Sequence, residues 1–281
     1  MKSVVITGVS SGIGLGATRV LISKGFRVFG SVRKQADADR LKAELGENFI
    51  PMIFDVIDEP AIKRAAEEVR VALKGEKLFG LVNNAGIGVA GPLLDLNVDE
   101  FRYQMEVNVT GPLLVTQSFA PLLGADRSLK GKPGRIVNIS SVNGKNAIPF
   151  LGAYSASKFA VEGFSESLRR ELLLFGIDVI VIGPGVVKTD IWDKAEQVDI
   201  TPFANSAFYP TLVKFLDYFI ALGRTGLTSE QLGRAIFKAL TTARPRVRYT
   251  VQKRRFLNTT LPQMLPKRIL DRIFGKAIGL I

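Results

Sequence analysis

The sequence predicts an α/β fold in which one doubly wound parallel β-sheet is flanked by helices. Three observations carry that prediction. Short apolar runs alternate with helical patterns from the first residues onward. The runs are apolar throughout, as in Val179-Ile180-Val181-Ile182, which suits strands covered on both faces. The first run passes directly into a glycine-rich turn and a helix, the opening of a strand–helix–strand unit with a right-handed crossover.

In chain order the expected strands are Ser3–Ile6, Arg27–Ser31, Phe49–Phe54, Gly80–Val82, Arg135–Ile139, Asp178–Ile182 and Arg248–Val251. Helical patterns cover Gly12–Lys24, Asp37–Leu45, Glu59–Leu73, Val98–Leu122 and Ser155–Phe175. A further stretch from Tyr209 to Leu240 reads as mostly helical. The 281 residues, 47% of them hydrophobic, are enough for one large core. No repeat, low-complexity linker or composition break divides them. A single domain is therefore expected over residues 1–251, with a helical lid near 189–226 and a basic amphipathic extension at 252–281.

Composition excludes several chemistries. Without Cys there is no disulfide, thiolate metal site or Cys nucleophile. Without His there is no Ser-His-Asp triad, imidazole base or His-ligated metal, and no metal site is expected. Proton transfer must fall to Tyr, Lys, Asp or Glu. The net charge is +12, and residues 244–281 carry +9 of it, with ten Lys/Arg against one acid, Asp271. No run approaches the ~20 apolar residues of a membrane span, and no signal-peptide pattern precedes the first strand. A cytoplasmic protein is expected.

The first strand leads into Thr7-Gly8-Val9-Ser10-Ser11-Gly12-Ile13-Gly14. Glycines here permit a tight turn and let backbone amides approach a pyrophosphate at the positive helix N-terminus. The spacing differs from G-x-G-x-x-G, and a plain strand-to-helix turn would also use glycine. Its place after the first strand of an α/β chain favours a nucleotide. A Rossmann dinucleotide-binding domain is expected, with Thr7, Gly8, Ser10, Ser11, Gly12, Ile13 and Gly14 at the cofactor. NAD sites place an acid at the end of the second strand. Here that end reads Ser31-Val32-Arg33-Lys34. Arg33 and Lys34 suit a 2′-phosphate that a carboxylate would repel, so NADP(H) is predicted; the plainer alternative is two cations solvating a loop.

The most informative constellation is Tyr154-Ser155-Ala156-Ser157-Lys158, with Ser141 thirteen residues before the tyrosine. At i,i+4 on a helix, Tyr154 and Lys158 share a face. A neighbouring ammonium is expected to lower the phenol pKa toward the working range. Ser141, at the end of the fifth strand, falls where such sheets bind ligands. Alone, Tyr-x-x-x-Lys is usually an exposed helical pair. Joined to the glycine turn it is far more specific.

These residues resemble those of the short-chain dehydrogenases/reductases over roughly residues 3–190. The motifs stand in the family's order: Thr7-Gly8-x-x-x-Gly12-Ile13-Gly14, Asp55-Val56, Asn83-Asn84-Ala85-Gly86, Asn108-Val109-x-Gly111, Ser141 with Tyr154 and Lys158, and Pro184-Gly185 with Thr189. The resemblance implies that Tyr154 is the acid in carbonyl reduction and the base in alcohol oxidation. It implies that Ser141 bonds the substrate oxygen, and that Lys158 lowers the Tyr154 pKa and holds the nicotinamide ribose. Asn108 would connect Lys158 through water to solvent, or simply kink its helix. Asp55, with Val56 beside it, would take the adenine amino group. Asn83, Ala85 and Gly86 would shape the cofactor wall, and Pro184, Gly185, Val187 and Thr189 would cover the nicotinamide. Homo-oligomers, dimers or tetramers, are implied as well.

Beyond Thr189 the sequence turns aromatic, with Trp192, Phe203, Phe208, Tyr209, Phe215 and Phe219, and Phe150 precedes the Tyr154 helix. Phe150 and Trp192 are candidate substrate contacts, and an apolar lid suits a lipophilic alcohol or carbonyl. Many of these rings, Phe215 and Phe219 among them, would simply pack lid helices. Within the family the likeness is greatest to retinol- and hydroxysteroid-dehydrogenase-type members. The expected activity is NADP(H)-dependent interconversion of a lipophilic alcohol and its ketone or aldehyde. A non-catalytic NADP(H)-sensing or scaffolding protein is the rival, disfavoured because binding alone needs no activated phenol. In the tail, Ile269, Leu270, Ile273, Phe274, Ala277, Ile278 and Ile281 form a helical stripe with Lys267, Arg268, Arg272 and Lys276 largely off it. Packing against the body or a second subunit is the preferred reading; peripheral contact with an anionic membrane competes. Nucleic acid is not expected, for want of a reader motif.

Overall fold

Val, Ile and Phe dominate the runs that become strands, because branched and aromatic side chains fit a pleated surface buried on both sides. The computed structural model describes residues 1–188, 199–254 and 256–281. Its main sheet contains β1 (Ser3–Ile6), β2 (Arg27–Val32), β3 (Phe49–Ile53), β4 (Gly80–Asn83), β5 (Arg135–Ile139), β6 (Asp178–Pro184) and, after two short strands, β9 (Arg248–Val251). The order is β3-β2-β1-β4-β5-β6-β9, with every neighbouring pair parallel. β7 (Val187–Lys188) and β8 (Leu227–Thr228) form a separate parallel pair. The order reverses between β1 and β4, which opens a crevice at the carboxyl ends of the strands.

Alternate residues along each strand feed opposite faces. Val5, Phe29, Leu81, Ile136 and Val179 pack with α3 (Glu59–Leu73) and α5 (Gly111–Ala120). Val4, Ile6, Val28, Val82, Val137 and Ile180 pack with α1 (Gly12–Ser23), α2 (Gln35–Leu45) and α8 (Ser229–Thr241). Two glycines bring α1 and α8 into backbone contact. A Cβ on Gly16 would stand 2.4 Å from Ser229 C, and one on Gly233 would stand 2.6 Å from Gly16 O.

Two expected helices are interrupted. The stretch Val98–Leu122 divides into α4 (Val98–Met105), a π turn (Glu106–Thr110) and α5. The stretch Tyr209–Leu240 divides into α7 (Tyr209–Arg224), β8 and α8. Local chemistry explains the second break. Gly226 lies tight on the backbone of Val186, and Thr228 opens α8 with a capping box to Gln231. α6 (Gly152–Glu171) runs beside β5 and β6 and carries Tyr154 and Lys158.

The tail helix, Lys267–Ile278, packs on α7. Leu270 is buried, Ile278 rests on an aromatic cluster around Phe150, and the Thr211 hydroxyl donates to Gly279 O at 3.3 Å. The inner part of the apolar stripe thus meets protein. In its outer part Ile269 and Ile273 stand about half exposed.

Candidate active site

The glycine turn is shaped by steric necessity. Gly8 and Gly12 have φ of +69° and +60°, and a Cβ on Gly14 would stand 2.3 Å from Gly8 O. Ser11 precedes α1 in extended conformation, and its side chain caps no amide, so the first amides of the helix face the crevice. The turn is stitched to β4. The Thr7 hydroxyl accepts from the amides of Asn84 and Ala85 at 3.0 Å each, and Asn84 Nδ2 donates to Thr7 O and Gly8 O at 2.9 Å each. The Gly8 amide donates to Ser31 Oγ at 3.0 Å, tying the turn to β2. Bare backbone, an uncapped helix start and positive dipole fit a dinucleotide pyrophosphate.

Arg33 stands at the end of β2 with its side chain 67% exposed, 3.7 Å from Asp55 Oδ2. Lys34 is exposed beside it at the start of α2. Arg40, which the sequence alone did not single out, reaches back from α2 to donate to Ser10 O at 2.9 Å. Three cationic side chains therefore border this end of the crevice. Val56 is buried beneath Gly111, where a Cβ would stand 2.8 Å from its Cγ2. Asn83 lies inside the sheet, its Nδ2 donating to Thr116 Oγ1 at 3.0 Å and Asn138 Oδ1 at 2.8 Å. Asn84, rather than Asn83, is the residue whose side chain reaches the turn.

The π turn aims Asn108 inward. Its Oδ1 accepts from the Ile87 amide at 2.9 Å, while Nδ2 donates to Ile87 O and Ser157 Oγ at 3.0 Å each. Gln104, one turn earlier and fully buried, accepts from the Val89 amide at 2.7 Å and donates to Ile87 O at 2.9 Å. Together the two amides hold residues 87–89. Gly86 leaves a gap behind them, since a Cβ there would stand 3.1 Å from Asn108 Oδ1 and 3.7 Å from Lys158 Nζ. A π turn at such a position is a frequent mark of a functional site.

Ser141, Tyr154 and Lys158 converge at the end of β5. Ser141 stands beside the Tyr154 phenol and accepts from the Asn143 amide at 3.1 Å. Lys158 Nζ donates to Ile139 O at 2.9 Å and lies 5.7 Å from the Tyr154 ring centroid. The electrostatics correct one expectation. Burial pushes the Tyr154 phenol above its usual range, and the Ser141 hydrogen bond offsets only part of that rise. The charge of Lys158 does not outweigh that rise, and burial pushes its own pKa down to about 8. Desolvation dominates because Lys158 is buried and Tyr154 is partly buried beside it.

An ion-pair network fastens this corner from outside. Arg248 of β9 donates through Nε to both Glu162 carboxylate oxygens at 3.0 Å, and through Nη2 to Ser141 O at 3.2 Å. Glu162 lies two turns beyond Tyr154 on α6, and Lys145 pairs with it at 3.4 Å. No motif signals this pair in the sequence, because its partners lie 86 residues apart.

Beyond Tyr154 the packing is apolar. Phe150, Phe203, Leu212 and Phe215 form a buried cluster that Tyr154, Phe208, Phe219 and Ile278 border. Phe150 meets Phe215 at 5.4 Å and Phe208 at 6.2 Å between ring centroids. It adopts a left-handed φ of +61°, and its carbonyl accepts from the Gly91 amide at 2.8 Å. Pro184 ends β6; the Gly185 amide donates to Val251 O at 3.0 Å, and Val187 is buried in β7. Thr189 and Trp192, two further candidates, lie outside the described residues.

A nucleotide cradle and a Ser–Tyr–Lys cluster on a doubly wound sheet define an NAD(P)-dependent oxidoreductase. Comparison with known proteins agrees. The family model for short chain dehydrogenase matches residues 2–199. The NADPH-dependent 3-dehydrocapnine reductase of Ornithobacterium rhinotracheale is 36% identical over 276 residues, covering 98% of this chain and 97% of that protein. Human retinol dehydrogenase 5 is 34% identical over 88% of this chain and 79% of its own length. A solved short-chain dehydrogenase from Streptomyces avermitilis superposes with a TM-score of 0.76 at 25% identity, covering 98% of this chain and 97% of that one. One from Burkholderia phymatum, in complex with NAD, gives 0.75 at 26% identity and 88% of each chain. The chain belongs to the short-chain dehydrogenase/reductase family.

Proposed function

We propose that this protein interconverts a lipophilic alcohol and its ketone or aldehyde with NADP(H), Tyr154 acting as acid in reduction and base in oxidation. The observation that carries this reading is the convergence of Ser141, Tyr154 and Lys158 at the border of a buried aromatic cluster of Phe150, Phe203 and Phe215. Apolar surface beside one polar corner suits an apolar body with one oriented oxygen. Hydride donation and acceptance is the chemistry NADP(H) supplies when bound. In reduction the Tyr154 hydroxyl gives its proton to the carbonyl oxygen while the Ser141 hydroxyl donates to the same oxygen and steadies its growing charge. Tyr154, left as phenolate, must regain a proton. The Lys158 ammonium stabilises that phenolate and, with Asn108 across the gap kept by Gly86, lines a route for the proton from solvent.

Residues 8–14 would hold the pyrophosphate, and Arg33 with Lys34 the 2′-phosphate. Support for NADP(H) comes from those cations and from the NADPH named for the 3-dehydrocapnine reductase relative. The test is a panel of lipophilic alcohols and ketones with either cofactor, followed by nicotinamide absorbance. Tyr154→Phe should bind cofactor normally yet lose roughly 10²-fold or more in turnover; retained activity would remove the assigned role. Arg33→Ala should narrow the preference for NADPH over NADH by ~1.5–3 kcal/mol, the worth of a charged hydrogen bond. An unmutated protein that prefers NADH overturns the cofactor assignment.

A further inference from the structure

We propose that the outer face of the C-terminal segment docks this protein on an anionic membrane surface. The tail helix uses only part of its apolar stripe internally. Leu270 is buried, and Ile278, eight residues on, rests against the aromatic cluster. Ile269 and Ile273 instead stand 47% and 51% exposed. Around a 3.6-residue helix, Arg272, Lys276, Ile269 and Ile273 follow one another on that outward side, with Arg268 next to them. Upstream of the helix, Phe256 and Met264 are 61% and 71% exposed.

Isolated exposed apolar residues are ordinary, but here Ile269 and Ile273 share one helix face with Arg268, Arg272 and Lys276. From residue 244 onward there is one acid among ten bases. Charge complementarity selects the occupant. A second copy of the same face would bring like charges together. A nucleic acid would satisfy the bases and leave the isoleucines, Phe256 and Met264 in water. An anionic bilayer takes both, the bases at its headgroups and the apolar side chains at the acyl boundary. The inner side of the same helix borders the aromatic cluster, so docking would bring that cluster near the lipid surface. The docking itself does not depend on the proposed reaction.

The full-length protein is sedimented with phosphatidylcholine vesicles with and without phosphatidylglycerol. Binding should rise ~10-fold or more with the anionic lipid and fall with salt, because the attraction is screened beyond about 8 Å at physiological ionic strength. The Ile269→Ser/Ile273→Ser double variant changes exposed side chains only; it should melt as the unmutated protein does and lose vesicle binding. Arg268→Gln/Arg272→Gln/Lys276→Gln should lose the preference for anionic lipid. Absence of binding at low salt overturns the proposal, as does undiminished binding by both variants. Light scattering after size exclusion supplies a further check: an oligomer dissolved by the isoleucine variant would assign the face to a second copy and overturn membrane docking. Turnover of a water-soluble alcohol, measured in parallel, reports on the reaction and not on the docking.

Discussion

Lys158 keeps a charge where its surroundings oppose one. Its Nζ is buried with a hydrogen bond to Ile139 O at 2.9 Å, and burial brings its pKa from 10.5 to about 8. A lysine whose folded pKa is depressed binds fewer protons folded than unfolded, so stability rises with pH across that interval. The cost is fully present below about pH 8 and disappears above about 10.5. Lys158→Met should therefore abolish turnover yet stabilise the fold at pH 7, by on the order of 3 kcal/mol. Urea denaturation at pH 7 and near pH 10 checks this, and the gain should shrink at the higher pH. Phe150 carries a different strain, a bulky side chain at φ +61°. Phe150→Ala and Phe150→Gly lose the same ring contacts, but only glycine relieves the backbone. The glycine variant should be the more stable of the two by about 1 kcal/mol in urea.

At the scale of elements, α6 is joined to β5 by polar bonds as well as by packing. Lys158 reaches Ile139 O, Asn138 Nδ2 donates to Ser165 Oγ at 2.9 Å, and Arg248 links Glu162 to Ser141 O. The Glu162–Arg248 pair is nearly dry, with side chains 8% and 19% exposed. Removing one member of such a pair leaves the other buried and unmatched. Glu162→Gln should cost about 3 kcal/mol, and Glu162→Gln/Arg248→Gln should cost less than its single changes sum to. A urea double-mutant cycle measures the coupling. Because Arg248 also holds the Ser141 carbonyl, Arg248→Gln should lower kcat more than it raises KM. The π turn belongs to this scale too. Asn-x-x-Gly was legible as a motif, but continuous apolar periodicity from Val98 to Leu122 concealed the turn that aims Asn108.

Across the whole molecule, residues remote in sequence close the structure. Gly16, just past the nucleotide turn, meets Ser229 and Gly233 on α8 with backbone against backbone. Gly233→Ala has no flexible neighbour to yield, only Gly16 O at 2.6 Å and the Ala17 backbone. It should destabilise the fold by about 1–3 kcal/mol and, by displacing α1, weaken NADPH binding; thermal melting with and without NADPH reads both effects. The tail helix closes the other side by laying Ile278 on the cluster that Phe150 and Phe215 build. Among the described residues no helix is long and apolar enough to cross a membrane.

The sequence by itself determined the strand order's raw material, the glycine turn and the Ser141–Tyr154–Lys158 set. Those signals are local: a 2-residue or 3.6-residue period, a turn that needs glycine, an i,i+4 pair. It also placed the cations at the end of β2, because a strand end is written in consecutive residues. Only the tertiary structure decided what burial does to Tyr154 and Lys158, because desolvation depends on every segment that surrounds a group. It decided likewise that Arg40 reaches the nucleotide turn, that Arg248 and Glu162 fasten Ser141, and that the tail stripe divides into an inner and an outer face. Each of these depends on partners brought together across tens of residues, and side-chain spacing along one chain carries no record of them.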